Sequence, residues 1–553
     1  MSEVFDFVVV GGGSGGCVVA GRLSEDQDVS VCVLEAGGGG DSALVNVPVG
    51  TVAMMPTSIN NWAFETVPQA GLGGRRGYQP RGRVLGGSSA INAMVYVRGH
   101  RSDYDHWAAL GNSGWSFDEV LPYFLRSEHN QRIDNAWHGR GGPLWVSDSR
   151  TDNPIHARYL EAARQTGLPV TDDFNGAEQE GIGIYQLTQQ HGRRCSAARA
   201  YLLPHVAYRD NLSVQTHMQV QRILFEGRRA VGVEVLQDGR LRTIRARREV
   251  ILAAGAFQSP QMLMLSGVGD AAELAGLGIT AVHHLPGVGK NLQDHPDFIF
   301  GYESSSLDTM GVSLGGSLRM LREISRYRKS GRGAITSNFA EGGGFLKTRP
   351  ELGAPNIQLH FVVALVDDHA RKFHFGHGLS CHVCLLRPRS AGSVALSSRD
   401  PAALPLIDPA FLKDPRDVEE MVEGFKLTRK LMQAPALAEL CRKDLFTADV
   451  HSDDEIREVL RRRTDTVYHP VGTCKMGIDT MAVVDPQLRV HGIEGLRVVD
   501  ASVMPALIGG NTNAPTIMIA EKAVDMIRGF FGAREIPARA TPINAEETRH
   551  AIA

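Results

Sequence analysis

The sequence carries little charge of either sign in excess. Its 61 acidic and 58 basic side chains nearly cancel, leaving a formal net charge of -3. That balance gives no electrostatic case for nucleic acid or an anionic membrane as the main partner. Cysteine is also sparse. Seven scattered residues, an odd number, argue against a disulfide framework and fit a reducing compartment such as the cytoplasm. The N-terminus, MSEVFDFVVV, carries Glu3 and Asp6 and no basic residue, so it lacks the positive region of a signal peptide. No apolar run reaches the 18 residues or so of a membrane span.

What is present is length and glycine. At about 100 to 200 residues per domain, 553 residues imply two or more domains. The hydrophobic share of 43% and charged share of 22% are ordinary for a globular enzyme. Many of the 61 glycines cluster, which marks sharp bends or close approach of backbone to something else. The first cluster is the most informative. Phe7 to Val10 reads as a buried strand, and GGGSGG follows at once, with Gly11, Gly13 and Gly16 on the GxGxxG spacing. A helix start follows from Cys17. A second apolar strand, Val29 to Leu34, ends at Glu35. In that context Gly11 permits the tight turn, Gly13 lets pyrophosphate touch the backbone, and Gly16 lets helix pack on strand. Free N–H groups at the helix start face the phosphates, and Glu35 binds ribose hydroxyls. Ser14 and Ala36 join these as expected cofactor contacts. An acid at position 35 disfavours NADP but does not separate NAD from FAD.

Four further blocks settle that choice by resemblance. They are GRVLGGSSAINAMVYVRG from Gly82, with Asp105 beyond it; GAFQSPQMLMLSGVG at 255 to 269; YHPVGTCKMG at 468 to 477; and VVDASVMP…GGNTNAPT from Val498 to Thr516. In this order they resemble the signature segments of the glucose–methanol–choline (GMC) oxidoreductases, and most closely the choline, alkanol and sorbose dehydrogenase branch. With the N-terminal cradle the resemblance runs from about residue 5 to about residue 530. It implies FAD. In some relatives a histidine of the first block bonds covalently to the flavin; here Ala90, Ile91 and Asn92 stand there, which implies non-covalent FAD. The family's usual glycine after the asparagine is Ala93 here. The glycine–serine turn, with Gly86, Ser89 and Asn92, is expected against pyrophosphate or flavin. Val220 matches the adenine position, and Asp500, Ala501, Asn511 and Thr512 are expected at the flavin.

Oxidising an alcohol requires loss of the hydroxyl proton and of a hydride, which flavin accepts. The chain must supply a base and a positioning group. Histidine is the usual base because its ordinary pKa, about 6.5, lies near working pH. Among 20 histidines, His469 is singled out by Pro470 and Gly472 beside it and by its match to the family's active-site histidine. The resemblance pairs it with Asn513. An asparagine amide cannot act as a base, but it can hydrogen-bond the reacting oxygen. His360, on an apolar strand, is either a pocket residue or a packed core histidine. The segment 367 to 382 holds four histidines whose spacing matches no zinc pattern, so no metal site is expected there. It is expected to border the substrate entrance.

The expected architecture is α/β. A Rossmann-like FAD-binding domain is assembled from residues 1–155, 196–295 and 468–530. A mixed sheet-and-helix substrate-binding domain takes 156–195 and 296–467, and 531–553 forms a tail. Within it, Pro355 to Val363 and Gly378 to Leu386 read as strands. Asp414 to Met432 reads as a helix with Asp414 as its cap and Val418, Met421, Val422 and Phe425 on its buried stripe. The implied activity is oxidation of a primary alcohol or sugar alcohol, with electrons passed to a quinone-type acceptor. No cluster of aromatics and acid marks a cation cage. An oxidase using O₂, a lyase with structural FAD, and a non-catalytic flavin binder are the alternatives. Oligomeric state is not legible.

Overall fold

The computed structural model describes residues 3–532. Its helices include α1 (Ser14–Leu23), α2 (Gly255–Leu265), α3 (Leu314–Ser330), α4 (Pro415–Met432) and α5 (Asn513–Phe531).

Two seven-stranded sheets organise the chain. The first has the strand order 212–215, 31–34, 3–10, 240–252, 229–237, 219–226. The strand Glu3–Val10 is apolar and buried over its last five residues, as a strand covered on both faces must be. It pairs in parallel with Val31–Leu34 on one side and with the long strand Arg240–Leu252 on the other. The far edge of that long strand is shared. Its first half takes the hairpin partner Arg229–Gln237, and its last three residues pair in parallel with Leu496–Val498. The parallel strands therefore finish together, and Gly11, Glu35, Ala253 and Val499 emerge at one rim. Crevices beyond the carboxyl ends of such strands are where ligands bind in open α/β sheets.

The second sheet is antiparallel. Its order runs from 296–304 through 377–385, 357–362 and 342–346 to 181–184, with two short pieces, 443–444 and 465–466, on the outer edge of 296–304. Alternation decides its faces. Leu359 and Phe361 turn to a core closed by α4 and the helix Ile155–Thr166, where Phe361 stacks on Tyr159 with centroids 4.2 Å apart. Gln358, His360 and Val362 turn the other way. Asp414 caps α4 by accepting from the Arg416 N–H, and all four residues of the expected stripe are buried. Each sheet draws its strands from one of the two residue sets expected for the two domains.

One cysteine spacing stands out, and one boundary differs from the sequence reading. Cys381 and Cys384 form a CxxC spacing, but three residues apart on one strand they point to opposite faces and are free thiols. Phe531, assigned to the tail, belongs to α5 and packs edge-on against Phe7 at 5.7 Å. The rest of the tail, from 533, lies outside the described residues.

Candidate active site

A cavity of about 420 Å³ lies between the rim of the first sheet and the inner face of the second. Three helix starts, those of α1, α2 and α5, line it, and none has a side-chain cap. The first N–H of α2 is taken by Asp500; the starts of α1 and α5 and the aligned dipoles make the wall a ready site for phosphate oxygens. Gly13 caps the start of α1. Across from it Gly87 has φ +53, and a Cβ there would stand 2.7 Å from the Gly13 Cα. Two backbones thus approach as only glycine permits. A Cβ on Gly16 would meet the Gly11 carbonyl oxygen at 2.0 Å, so Gly16 serves helix-on-strand packing and does not face the cavity.

Glu35 is buried at the rim. Its carboxylate accepts from the N–H groups of Gly12 at 3.0 Å and Gly37 at 2.8 Å, and burial raises its pKa. Gly11, Gly13, Ser14, Glu35, Ala36 and Val220 line one stretch of the cavity; Asn92, Asp500, Ala501, Asn511, Thr512 and Asn513 line another. Asp500 accepts from the Gly255 N–H and the Ser259 hydroxyl, fixing the start of α2. Ile91 also lines the wall, and an alkyl side chain cannot bond to flavin.

Gly86 and Ser89 are corrections. They are not on the cavity wall; Gly87 and Ser88 are. The Gly86 N–H donates to the Gly12 carbonyl at 2.7 Å, and the Ser89 hydroxyl accepts from the Ala197 N–H at 2.9 Å. A four-residue turn presents only part of itself to either side, so these two hold the loop while their neighbours face the space.

His469 and Asn513, the pair expected from sequence, both line the cavity, and a second amide joins them. The amide in contact with His469 is that of Asn511. The Asn511 Nδ2 lies 3.1 Å from the His469 Nε2. Asn513, the first residue of α5, instead accepts from the Ser14 hydroxyl at 2.8 Å. The reason is helix geometry. α5 packs along α1, with Arg22 paired to Glu521 at 2.9 Å, so a side chain on its first turn reaches the start of α1. Asn511 precedes the cap and stands clear. Its orientation is fixed from behind, because the Gln358 Nε2 donates to the Asn511 Oδ1 at 2.9 Å.

His295 is a site residue the sequence reading missed. Its Nδ1 lies 3.0 Å from the His469 Nδ1, and its Nε2 faces the carbonyl oxygens of Leu386 and Ile508, each at 3.1 Å. Carbonyls only accept, so the His295 Nε2 carries a hydrogen. Burial pushes the His295 pKa down to about 3, so the ring is neutral and its Nδ1 is an acceptor. The His469 Nδ1 must then donate, which leaves its Nε2 unprotonated, an acceptor facing the Asn511 Nδ2. Burial first, then His295, His360 and Arg81, hold the His469 pKa well below the usual value. Asp294 completes the support. Its Oδ1 accepts from the His469 N–H at 2.8 Å and its Oδ2 from the Thr466 hydroxyl at 2.6 Å, and burial raises its carboxyl to about 6.

His360 does reach the cavity, with Nδ1 unpartnered, Nε2 3.5 Å from the Asn511 Nδ2, and a pKa lowered to about 3, chiefly by burial. The four histidines of 367–382 take separate partners. His369 meets the Tyr468 hydroxyl, His374 meets Asp367, His377 meets Ser313 and His382 meets Asp297. His369 and His382 also line the cavity.

Similar proteins supply the frame for this geometry. Two models of GMC oxidoreductase match residues 5–297 and 388–520. An alcohol dehydrogenase (acceptor) of Pseudomonas putida is 46% identical over 528 residues, covering 95% of this chain and 96% of that protein. The mitochondrial choline dehydrogenase of Homo sapiens is 44% identical over 542 residues, with 95% and 90% covered. A crystal structure of pyridoxine 4-oxidase from Mesorbium loti superposes with a TM-score of 0.86 at 32% identity, covering 96% of this chain and all of that one. The opposed glycine turns and the free starts of α1 and α5 fit a bound FAD. This chain belongs to the GMC oxidoreductase family and is an FAD-binding oxidoreductase.

Proposed function

We propose that this enzyme oxidises a neutral aliphatic primary alcohol to its aldehyde and passes the electrons to a quinone-type acceptor. The observation that carries the reaction is the unprotonated His469 Nε2 inside a cavity that fits FAD. Bound flavin supplies the hydride acceptor. His469 takes the hydroxyl proton, and the Asn511 Nδ2 holds the oxygen from which it leaves. His360, with its Nδ1 unpartnered, offers a second polar contact to that oxygen. FAD is held without a covalent bond, since Ile91 stands where some relatives carry the linking histidine. Flavin should therefore leave with the supernatant when holoenzyme is acid-precipitated, and a yellow pellet would contradict this.

The substrate class follows from the wall. Phe339, Val362, Ala364, Leu365 and Val366 give it an apolar surface. The carboxylates on the cavity, Glu35 and Asp500, are both engaged by backbone N–H groups at the cofactor rim. No acid therefore stands ready for a quaternary ammonium. The acceptor reading rests on the similarity to the acceptor-linked alcohol dehydrogenase. Anaerobic mixing with a panel of alcohols tests both points. A medium-chain primary alcohol should bleach the flavin faster than choline or a sugar alcohol, and a quinone should restore the colour faster than air. Faster bleaching by choline would overturn the substrate class, and faster recovery in air would make the enzyme an oxidase.

A further inference from the structure

The helix α3 lies on the surface with an apolar ridge turned outward. None of its residues is buried, although it begins LGGSLRML. Its inner side is mixed: Met320 and Tyr327 are half-buried there, Glu323 accepts from the Ala334 N–H at 2.6 Å, and Arg326 pairs with Asp152 at 2.6 Å. Leu314, Leu318 and Leu321, at i, i+4 and i+7, form one ridge, and they are 89%, 67% and 66% exposed. Isolated exposed leucines need no explanation; an ordered ridge of them does.

A second element extends the ridge. Val312, just before α3, bridges to Gly376, which brings the turn carrying Phe373 and Phe375 alongside. These two rings are 62% and 86% exposed and contact each other edge-on at 4.9 Å. Exposed cations surround the apolar residues: Arg322, Arg328 and Lys329 on α3, and Lys372 on the turn. None of them forms an ion pair among the described residues. The near-neutral total charge hides this local excess.

We propose that this face docks on an anionic lipid bilayer, with the three leucines and two phenylalanines inserted at the level of the headgroups and the cations paired to lipid phosphates. A ridge of apolar side chains with basic residues beside it is what an interfacial helix presents to a membrane. A second copy of this chain suits the face poorly, because a two-fold contact would bring the same unpaired cations against each other. No helix among the described residues is long and apolar enough to cross a membrane, so the attachment is to one leaflet. The cavity lies next to it. Val366, His369 and Ala370 line the cavity, and the chain runs from them straight to Phe373. Docking would set the cavity mouth beside the lipid surface.

Flotation of the holoenzyme with vesicles tests this. Vesicles of phosphatidylcholine with phosphatidylglycerol should carry the protein, phosphatidylcholine alone should carry much less, and added salt should release it. The Leu314→Ser/Leu318→Ser/Leu321→Ser variant should bind anionic vesicles about tenfold more weakly or worse, since each leucine removes several buried carbons. Phe373→Ser/Phe375→Ser should weaken binding independently. Both variants should keep normal FAD content and a normal rate with a soluble alcohol and a soluble dye. A wild-type protein that stays off anionic vesicles would overturn the proposal, as would unchanged binding by the leucine variant. A wild-type dimer that the leucine variant converts to monomer would assign the face to a second copy instead.

Discussion

Replacing His469 by alanine is expected to slow flavin reduction about 10²- to 10⁴-fold, the usual worth of a positioned base, while FAD content stays near normal. The two effects separate because the residues that hold the cofactor are elsewhere. Phosphate is expected at the start of α1 and ribose at Glu35, whereas His469 touches His295, Asn511 and the Asp294 carboxylate. Alanine also strands the buried His295 Nδ1, which costs on the order of 1–3 kcal/mol of stability. His469→Gln is the companion variant, since it keeps a polar group in the space without a titrating ring. Single-turnover reduction per bound FAD is the readout. A fully loaded His469→Ala enzyme reducing at the wild-type rate would remove His469 as base and leave His360 as the candidate.

The second large effect is expected at Asn511. Asn511→Ala should slow reduction by about 10²- to 10³-fold, the range found when one donor to a reacting oxygen is removed. Asn513→Ala should do less, because its amide oxygen is held by the Ser14 hydroxyl at the start of α1. Its main consequence should be weaker FAD retention. Measuring both variants under the same conditions discriminates the roles. A larger loss of reduction rate in the loaded Asn513 variant would restore the pairing expected from sequence. Losses at His469 and Asn511 need not add, because both groups act on one oxygen.

That pairing shows where the sequence stops being legible. The cradle could be read because its chemistry is local: strand, glycine turn, helix start and acid lie within about thirty residues, each with its own pattern. The strands 357–362 and 377–385 and the cap of α4 could be read for the same reason. NTNAP offers two amides two residues apart, and what separates them is which one enters the first turn of α5. Pro515, an early-turn residue, hints that the helix begins just before it and leaves Asn511 outside. His295 gave no such hint. It stands in Asp294-His295-Pro296, ordinary turn residues, and its contact is with a residue 174 positions away. Gly86 and Ser89 failed for a smaller reason, since a motif names a turn but not which of its residues face inward. The leucines of α3 carried no signal of their own in the sequence, and only the fold shows that they face outward.

The buried histidine pair makes a claim that pH can test. A base whose folded pKa is lowered stays unprotonated, and competent, further into acid than a free imidazole. Burial and the neighbouring His295 lower that of His469. The decisive measurement is the rate of flavin reduction by a saturating alcohol as a function of pH in the wild-type holoenzyme. The rate should hold as pH falls through about 6.5, the ordinary imidazole value, and decline only below it. A decline centred at or above that value would show a histidine exposed to water and free to protonate, and would contradict the arrangement in which His295 and burial keep the His469 Nε2 unprotonated.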